Sequence, residues 1–141
     1  MSNQQVRGDY KTGPSGWVGW IAFAATIMLI TGILGVIEGL SALLRDEDYF
    51  FVGGERALLT FNLTSWGWIH LILGLVVILT GVLLLKGSAA GLILGTIVVG
   101  LHLIAQFAWI AAYPWWSAII IVLDVLILWA IIVHGGELLR D

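Results

Sequence analysis

The chain has 141 residues, 60% of them hydrophobic and 11% charged, with a mean hydropathy of +1.05. A soluble domain is nearer a quarter charged and could not hide this much apolar side chain at this size, so a water-soluble fold is excluded and the apolar surface must face lipid. The net charge of −3 comes with no basic patch, which excludes nucleic acid as a partner, and the absence of cysteine removes disulfides, thiolate metal sites and thiol nucleophiles.

Residues 1–16 (MSNQQVRGDYKTGPSG) are polar and rich in Gly and Ser, which predicts a short disordered tail. The apolar run that follows is too long for a signal-peptide core and has no small-residue cleavage site at its end. A span needs about 20 apolar residues. The first is predicted over 17–44 and is long enough to tilt. The loop 45–65 follows, reading RDEDYFFVGGERALLTFNLTS. Tyr49–Val52 and Leu58–Phe61 have strand-like content, and Gly53-Gly54 between them is a turn signal. A short hairpin lying over the outer end of the bundle is expected. Asn62-Leu63-Thr64 matches a glycosylation sequon, a pattern that chance often produces.

The second span is predicted over 66–85, and Lys86-Gly87-Ser88 forms a tight turn into the third, over 89–112. Tyr113-Pro114 separates it from the fourth, over 115–134, with Pro114 suited to the first helical turn. Such short links force neighbouring helices to run antiparallel. His134 before Gly135 reads as a helix end, with Gly135 as the cap and the imidazole near the negative pole of the helix. Residues 136–141 form a short tail. Trp17, Trp20, Trp66, Trp68, Trp109, Trp115 and Trp116 cluster near span ends, as interfacial anchors do.

Arg7, Lys11, Lys86 and Arg140 fall on one side of the membrane, and Arg45 and Arg56 on the other, in a loop with Asp46, Glu47, Asp48 and Glu55. The positive-inside rule puts both termini in the cytoplasm of a plasma membrane. Gly35/Gly39 and Gly91/Gly95 are spaced four apart, which lets backbones approach. Packing within the bundle is the primary expectation for them, and a homo-oligomer through the Gly-rich faces a secondary one.

Glu38, His70, His102, Gln106 and Asp124 lie within the spans. Polar groups at bilayer depth are expensive, so they usually face the interior and often mark function. At 1.5 Å per residue, their distances from the outer ends are about 9, 6, 15, 9 and 14 Å. All five therefore fall in the outer half. His102 and Gln106 share a face with Gly95, His70 lines up with Gly74 and Gly81, and Glu38 with Gly35 and Ala42. The expectation is one polar pocket in the outer half, roofed by the acidic loop, to which each helix contributes a group.

Three readings compete for it. Structural glue would pair Glu38 or Asp124 with His70 or His102, contributing about 0.6–2 kcal/mol per contact. A binding or translocation site for a proton, cation or small polar molecule would use the same groups as a relay. A metal or haem site is conceivable from two His and two carboxylates, but no His pair has ligand spacing and no cofactor is expected. Ser41, Ser65, Ser88 and Ser117 sit near span ends without a legible Ser–His–Asp arrangement. The chain has no G-x-S-x-G and no phosphate-binding loop, which weakens a hydrolase.

Several stretches carry a resemblance: Gly16-Trp17-Val18-Gly19-Trp20, Val36-Ile37-Glu38-Gly39-Leu40, Trp66-Gly67-Trp68-Ile69-His70-Leu71, Ala112-Tyr113-Pro114-Trp115-Trp116-Ser117, Leu123-Asp124-Val125 and Val133-His134-Gly135. Over nearly all of the chain after residue 15 it resembles the uncharacterised four-helix membrane proteins of actinobacteria, a family of unknown function. The resemblance implies a four-helix inner-membrane protein and no established activity. Glu38, His70, Asp124 and His134 fall within these stretches, whereas His102 and Gln106 do not. A site built on Glu38, His70 and Asp124 is therefore expected over one requiring His102.

The fold expected is an all-α membrane protein, a four-transmembrane-helix antiparallel bundle with a hairpin-like extracellular loop. The function expected is a non-enzymatic structural or binding protein, its partners being the bilayer, a second copy or another membrane protein. A small proton- or cation-coupled carrier is the alternative.

Overall fold

The computed structural model describes residues 13, 15–45, 49–52, 59–111 and 113–139. Most of the tail expected over 1–16, the Gly53-Gly54 turn, and the charged groups Arg7, Lys11, Asp46, Glu47, Asp48, Glu55, Arg56 and Arg140 lie outside them. Four helices dominate: α1 (Gly16–Leu43), α2 (Leu63–Leu85), α3 (Ala89–Trp109) and α4 (Pro114–Leu138). Each is long and apolar enough to cross a membrane, and the chain is a multi-pass membrane protein. They are apolar around most of their circumference, the pattern of helices surrounded by lipid and by each other. Helical backbone satisfies its own polar groups in that setting. Thr26, Thr31, Thr80 and Thr96 do likewise, donating their hydroxyls to carbonyls four residues back.

Between α1 and α2 lies an antiparallel two-stranded ladder, β1 (Tyr49–Val52) and β2 (Leu59–Asn62), pairing Tyr49 with Asn62 and Val52 with Leu59. Its close helix contacts are with α2, the helix it leads into. α2 starts three residues earlier than the apolar run suggests because Asn62, of the sequon, caps it. Its side-chain oxygen accepts from the Ser65 N–H at 3.1 Å. Ser88 caps α3 in the same way through Gly91 N–H at 3.0 Å, and Gly87 takes the positive φ (63°) that the tight turn requires.

Two other boundaries move. α3 ends at Trp109 rather than 112, since Pro114 holds Tyr113 out of the helical region (φ −136°, ψ 68°). α4 does not stop at His134. It continues to Leu138, and Gly135 is an interior helical residue that lets Leu92 of α3 approach closely. His134 stacks on Trp17 of α1, ring centroids 4.9 Å apart.

The first pair of helices is closed by glycine. A Cβ on Gly39 would lie 2.6 Å from Leu71 N and 2.7 Å from Gly67 O, and one on Gly74 would lie 2.7 Å from Gly32 O and from Val36 N. Backbone therefore meets backbone along most of α1 and α2. Gly91 does the same against Leu83 of α2, and Gly95 sits against Leu84 and Ile131. Gly35, Gly39, Gly91 and Gly95 thus make contacts within one chain, the packing expected first for them.

All four helices share a buried core in the half of the bundle near the termini. There Ile21, Ala25 and Met28 of α1, Leu84 of α2, Val99 of α3, and Ala130 and Ile131 of α4 form one buried cluster. The Ser15 N–H donates to Glu137 Oε2 at 3.1 Å, tying the start of α1 to the end of α4. That cluster does not extend toward the hairpin. Trp17, Ala24, Thr31 and Glu38 lie on one stripe at seven-residue intervals, which drifts only about 20° per step. Trp17 stacks on α4 and Ala24 is buried, whereas Thr31 and Glu38 are exposed. The stripe that meets α4 near the termini thus stands open in the hairpin half.

Candidate functional site

The hairpin halves of α3 and α4 bury almost nothing apolar. Beyond Val99 no described residue of α3 is buried, and before Ala130 the buried residues of α4 are Ser117 and Asp124. A polar chain takes the place of the missing core. Asp124 is 6% exposed, and its Oδ2 lies 2.9 Å from His102 Nδ1 on α3. One turn on, Gln106 Nε2 lies 3.2 Å from His102 Nε2. The helical repeat puts His102 and Gln106 on one face, and their antiparallel partner brings Asp124 to the same level.

The geometry restricts the protons. His102 Nδ1–H donates to the Asp124 carboxylate, and its Nε2 lone pair accepts from the Gln106 amide. This orientation of the amide suits the neutral imidazole. Rotating the amide by half a turn presents Gln106 Oε1 to a protonated Nε2–H instead, so the same three residues also accommodate the imidazolium. The His102 side chain remains 53% exposed on the protein surface although it is held at both nitrogens.

Beside this chain, between the hairpin ends of α3 and α4, lies an open cleft of about 380 Å³ lined by Gln106, Trp109, Tyr113, Trp116 and Ser117. The Ser117 hydroxyl is fully buried and has no hydrogen-bond partner among the described residues. Gln106 belongs to both features, so a hydrogen-bonded path runs from Asp124 to the cleft.

The structure brings together three of the five expected residues. The pocket expected from all four helices is instead a chain between two. His70 is satisfied within α2, its Nδ1–H donating to the Trp66 carbonyl at 3.1 Å. Glu38 is exposed on α1 and has no hydrogen bond among the described residues. The expectation that favoured Glu38 and His70 over His102 is reversed in the geometry, since His102 is the residue that meets Asp124. Spacing alone misses Ser117 and the aromatic cleft, because span-end aromatics have the same sequence signature whether they anchor the bilayer or line a site. Among the described residues no three His, Cys, Asp or Glu side chains converge on a point that could hold a metal ion.

The family model for a domain of unknown function, DUF7144, matches residues 20–136. The chain belongs to this family. The match covers α2, α3, the polar chain and all but the ends of α1 and α4, in agreement with the expectation of a family of unknown function, and it assigns no activity. No curated protein and no solved structure matches the chain. The functional reading of this DUF7144 member therefore rests on its own residues.

Proposed function

We propose that this protein is a small non-enzymatic binding or accessory protein of the plasma membrane. In this reading the α1–α2 pair is its scaffold and the Asp124–His102–Gln106 chain its polar site. Both termini lie in the cytoplasm, given Arg7, Lys11, Lys86 and Arg140 on that side, so the site faces the outer leaflet. The observation that carries this reading is the half-exposed imidazole of His102. It lies about 10 Å from the hairpin end of α3, at a depth where lipid offers it nothing. A purely structural contact would gain by burying both partners, whereas this one buries the carboxylate and leaves the imidazole accessible to a ligand or partner.

Native mass spectrometry of gently extracted protein tests it. A stoichiometric small molecule or protein held by the wild type and lost from a folded His102→Ala variant is expected. Identical bound masses in both would sink the reading.

A second reading, proton or cation handling, is favoured by one specific feature. The Gln106 amide can serve either protonation state of His102 by rotation. It predicts a proton flux in liposomes, read with an entrapped pH dye, that disappears in Asp124→Asn. Equal flux through the variant and through empty liposomes excludes it.

A further inference from the structure

We propose that the cleft between the hairpin ends of α3 and α4 binds a primary ammonium group, carried by an aminolipid headgroup or by a free amine. The proposal rests on the reading of the α3–α4 polar chain as a binding site and names what that site takes.

The volume, about 380 Å³, lies within the range of small-ligand sites. Gln106 is three residues before the end of α3 and Ser117 three residues after the start of α4, so the cleft lies about 5 Å inside the helix ends. That is the level of headgroups and their first carbons. The cleft is also open, which leaves acyl chains free to stay in the bilayer.

The lining selects the charge. Trp109, Tyr113 and Trp116 line the cleft, and an ammonium within about 6 Å of an aromatic ring centroid is attracted by its quadrupole. Among the described residues no Lys or Arg lines the cleft to neutralise an anion. The start of α4 by itself favours negative charge, but the end of α3 beside it favours positive charge. The two helix-end effects oppose each other, and the side chains decide.

Hydrogen bonding selects N–H donors. With the Gln106 amide nitrogen turned to His102, as it lies at 3.2 Å, the end left for a ligand is Oε1, an acceptor. Ser117 also lines the cleft, and its Oγ is buried with no hydrogen-bond partner among the described residues, a condition that costs about 1–3 kcal/mol when it stays unrelieved. An apolar occupant would leave it so. A primary ammonium supplies donors to both oxygens and its charge to the rings. A quaternary ammonium would satisfy the rings alone. Behind Gln106, the Asp124 carboxylate lies two hydrogen bonds away, and its negative charge adds to the preference.

The test uses the full chain in detergent with phosphatidylethanolamine, phosphatidylcholine or phosphatidylglycerol of matched acyl chains, and separately with ethanolamine. Binding is read by native mass spectrometry, and folding of each variant by circular dichroism. Phosphatidylethanolamine should be retained at least about tenfold more tightly than the other two, a difference of about 1.4 kcal/mol. That preference should fall below about threefold in both Gln106→Leu and Ser117→Ala, the second being the variant least able to disturb the fold. A preference for the lipid assigns the ammonium to the headgroup. Saturable ethanolamine binding with the same variant dependence, without lipid preference, assigns it to a free amine. Equal retention of the three lipids with no ethanolamine binding overturns the proposal, as does a preference that survives in both variants. Such a failure is separate from failure of the underlying reading, which is scored on endogenous bound molecules in His102→Ala and does not use these lipids.

Discussion

The two helical hairpins of this protein are held together by opposite means. α1 and α2 meet through backbone, with Gly32, Gly39, Gly67 and Gly74 each placed where a Cβ would come within 3 Å of the other helix. α3 and α4 meet in their hairpin halves through Asp124, His102 and Gln106. Lipid is as apolar as any helix surface, so neither pair gains from apolar burial alone. The first pair gains dispersion contacts that only glycine permits, and the result is a closed seam with no room for a ligand. The second gains hydrogen bonds, which are directional and leave space beside them. The cleft lies beside those bonds and not along the glycine seam. A scaffold and a site thus have different interhelical chemistry within one small chain.

The comparison breaks most readily at the seam. Gly39→Val and Gly74→Val force side chain into opposing backbone, and each is expected to cost about 3 kcal/mol in reversible detergent unfolding. Gly100→Ala on α3 meets open space and is expected to be neutral or to gain up to about 1 kcal/mol. If the two kinds of variant unfold alike, the seam is not what holds α1 to α2.

Next in size is Asp124→Ala, which removes the buried acceptor of the half-exposed His102 and is expected to cost about 1–2 kcal/mol. Its effect should be local. Hydrogen exchange should rise in the hairpin halves of α3 and α4 and stay unchanged in α1 and α2. A double-mutant cycle with His102→Ala should give a coupling of about 1 kcal/mol, and strictly additive losses would show that the two side chains do not interact. Gln106→Leu should cost about 0.5 kcal/mol, since the amide engages the imidazole at the more exposed end of the chain. The smallest effect belongs to Glu38→Gln. With no partner among the described residues, Glu38 should tolerate the change within about 0.5 kcal/mol. A loss of 2 kcal/mol or more there would place Glu38 in a contact that the folded chain does not show.

The architecture was legible because each span announces itself by length and hydropathy alone. Helix ends were less so. α2 begins at Leu63 because of one capping side chain, and α4 runs past Gly135 because that glycine serves a close approach to Leu92 rather than a turn. The same residue type fits both roles, and only a neighbouring helix distinguishes them. The candidate site was legible in its residue types and level but not in its pairing. Glu38, His70, His102, Gln106 and Asp124 all read as outer-half polar groups on packing faces, and depth cannot say which faces meet.

Sequence by itself determined that this chain lives in a membrane, crosses it with four helices and carries its polar side chains toward one end. Those properties follow from transfer energetics, which sum residue by residue along the chain and need no knowledge of the neighbours. Tertiary structure alone decided that His102 rather than His70 meets Asp124, that Glu38 stands apart, that Gly39, Gly74 and Gly91 serve contacts within the chain and that Ser117, beside a cleft, has no partner among the described residues. Each of these depends on the rotation of one helix about its axis relative to another. Helices with apolar residues around most of their circumference do not encode that rotation in their hydrophobic pattern. It is set by where backbones can touch and where single polar groups can find a partner.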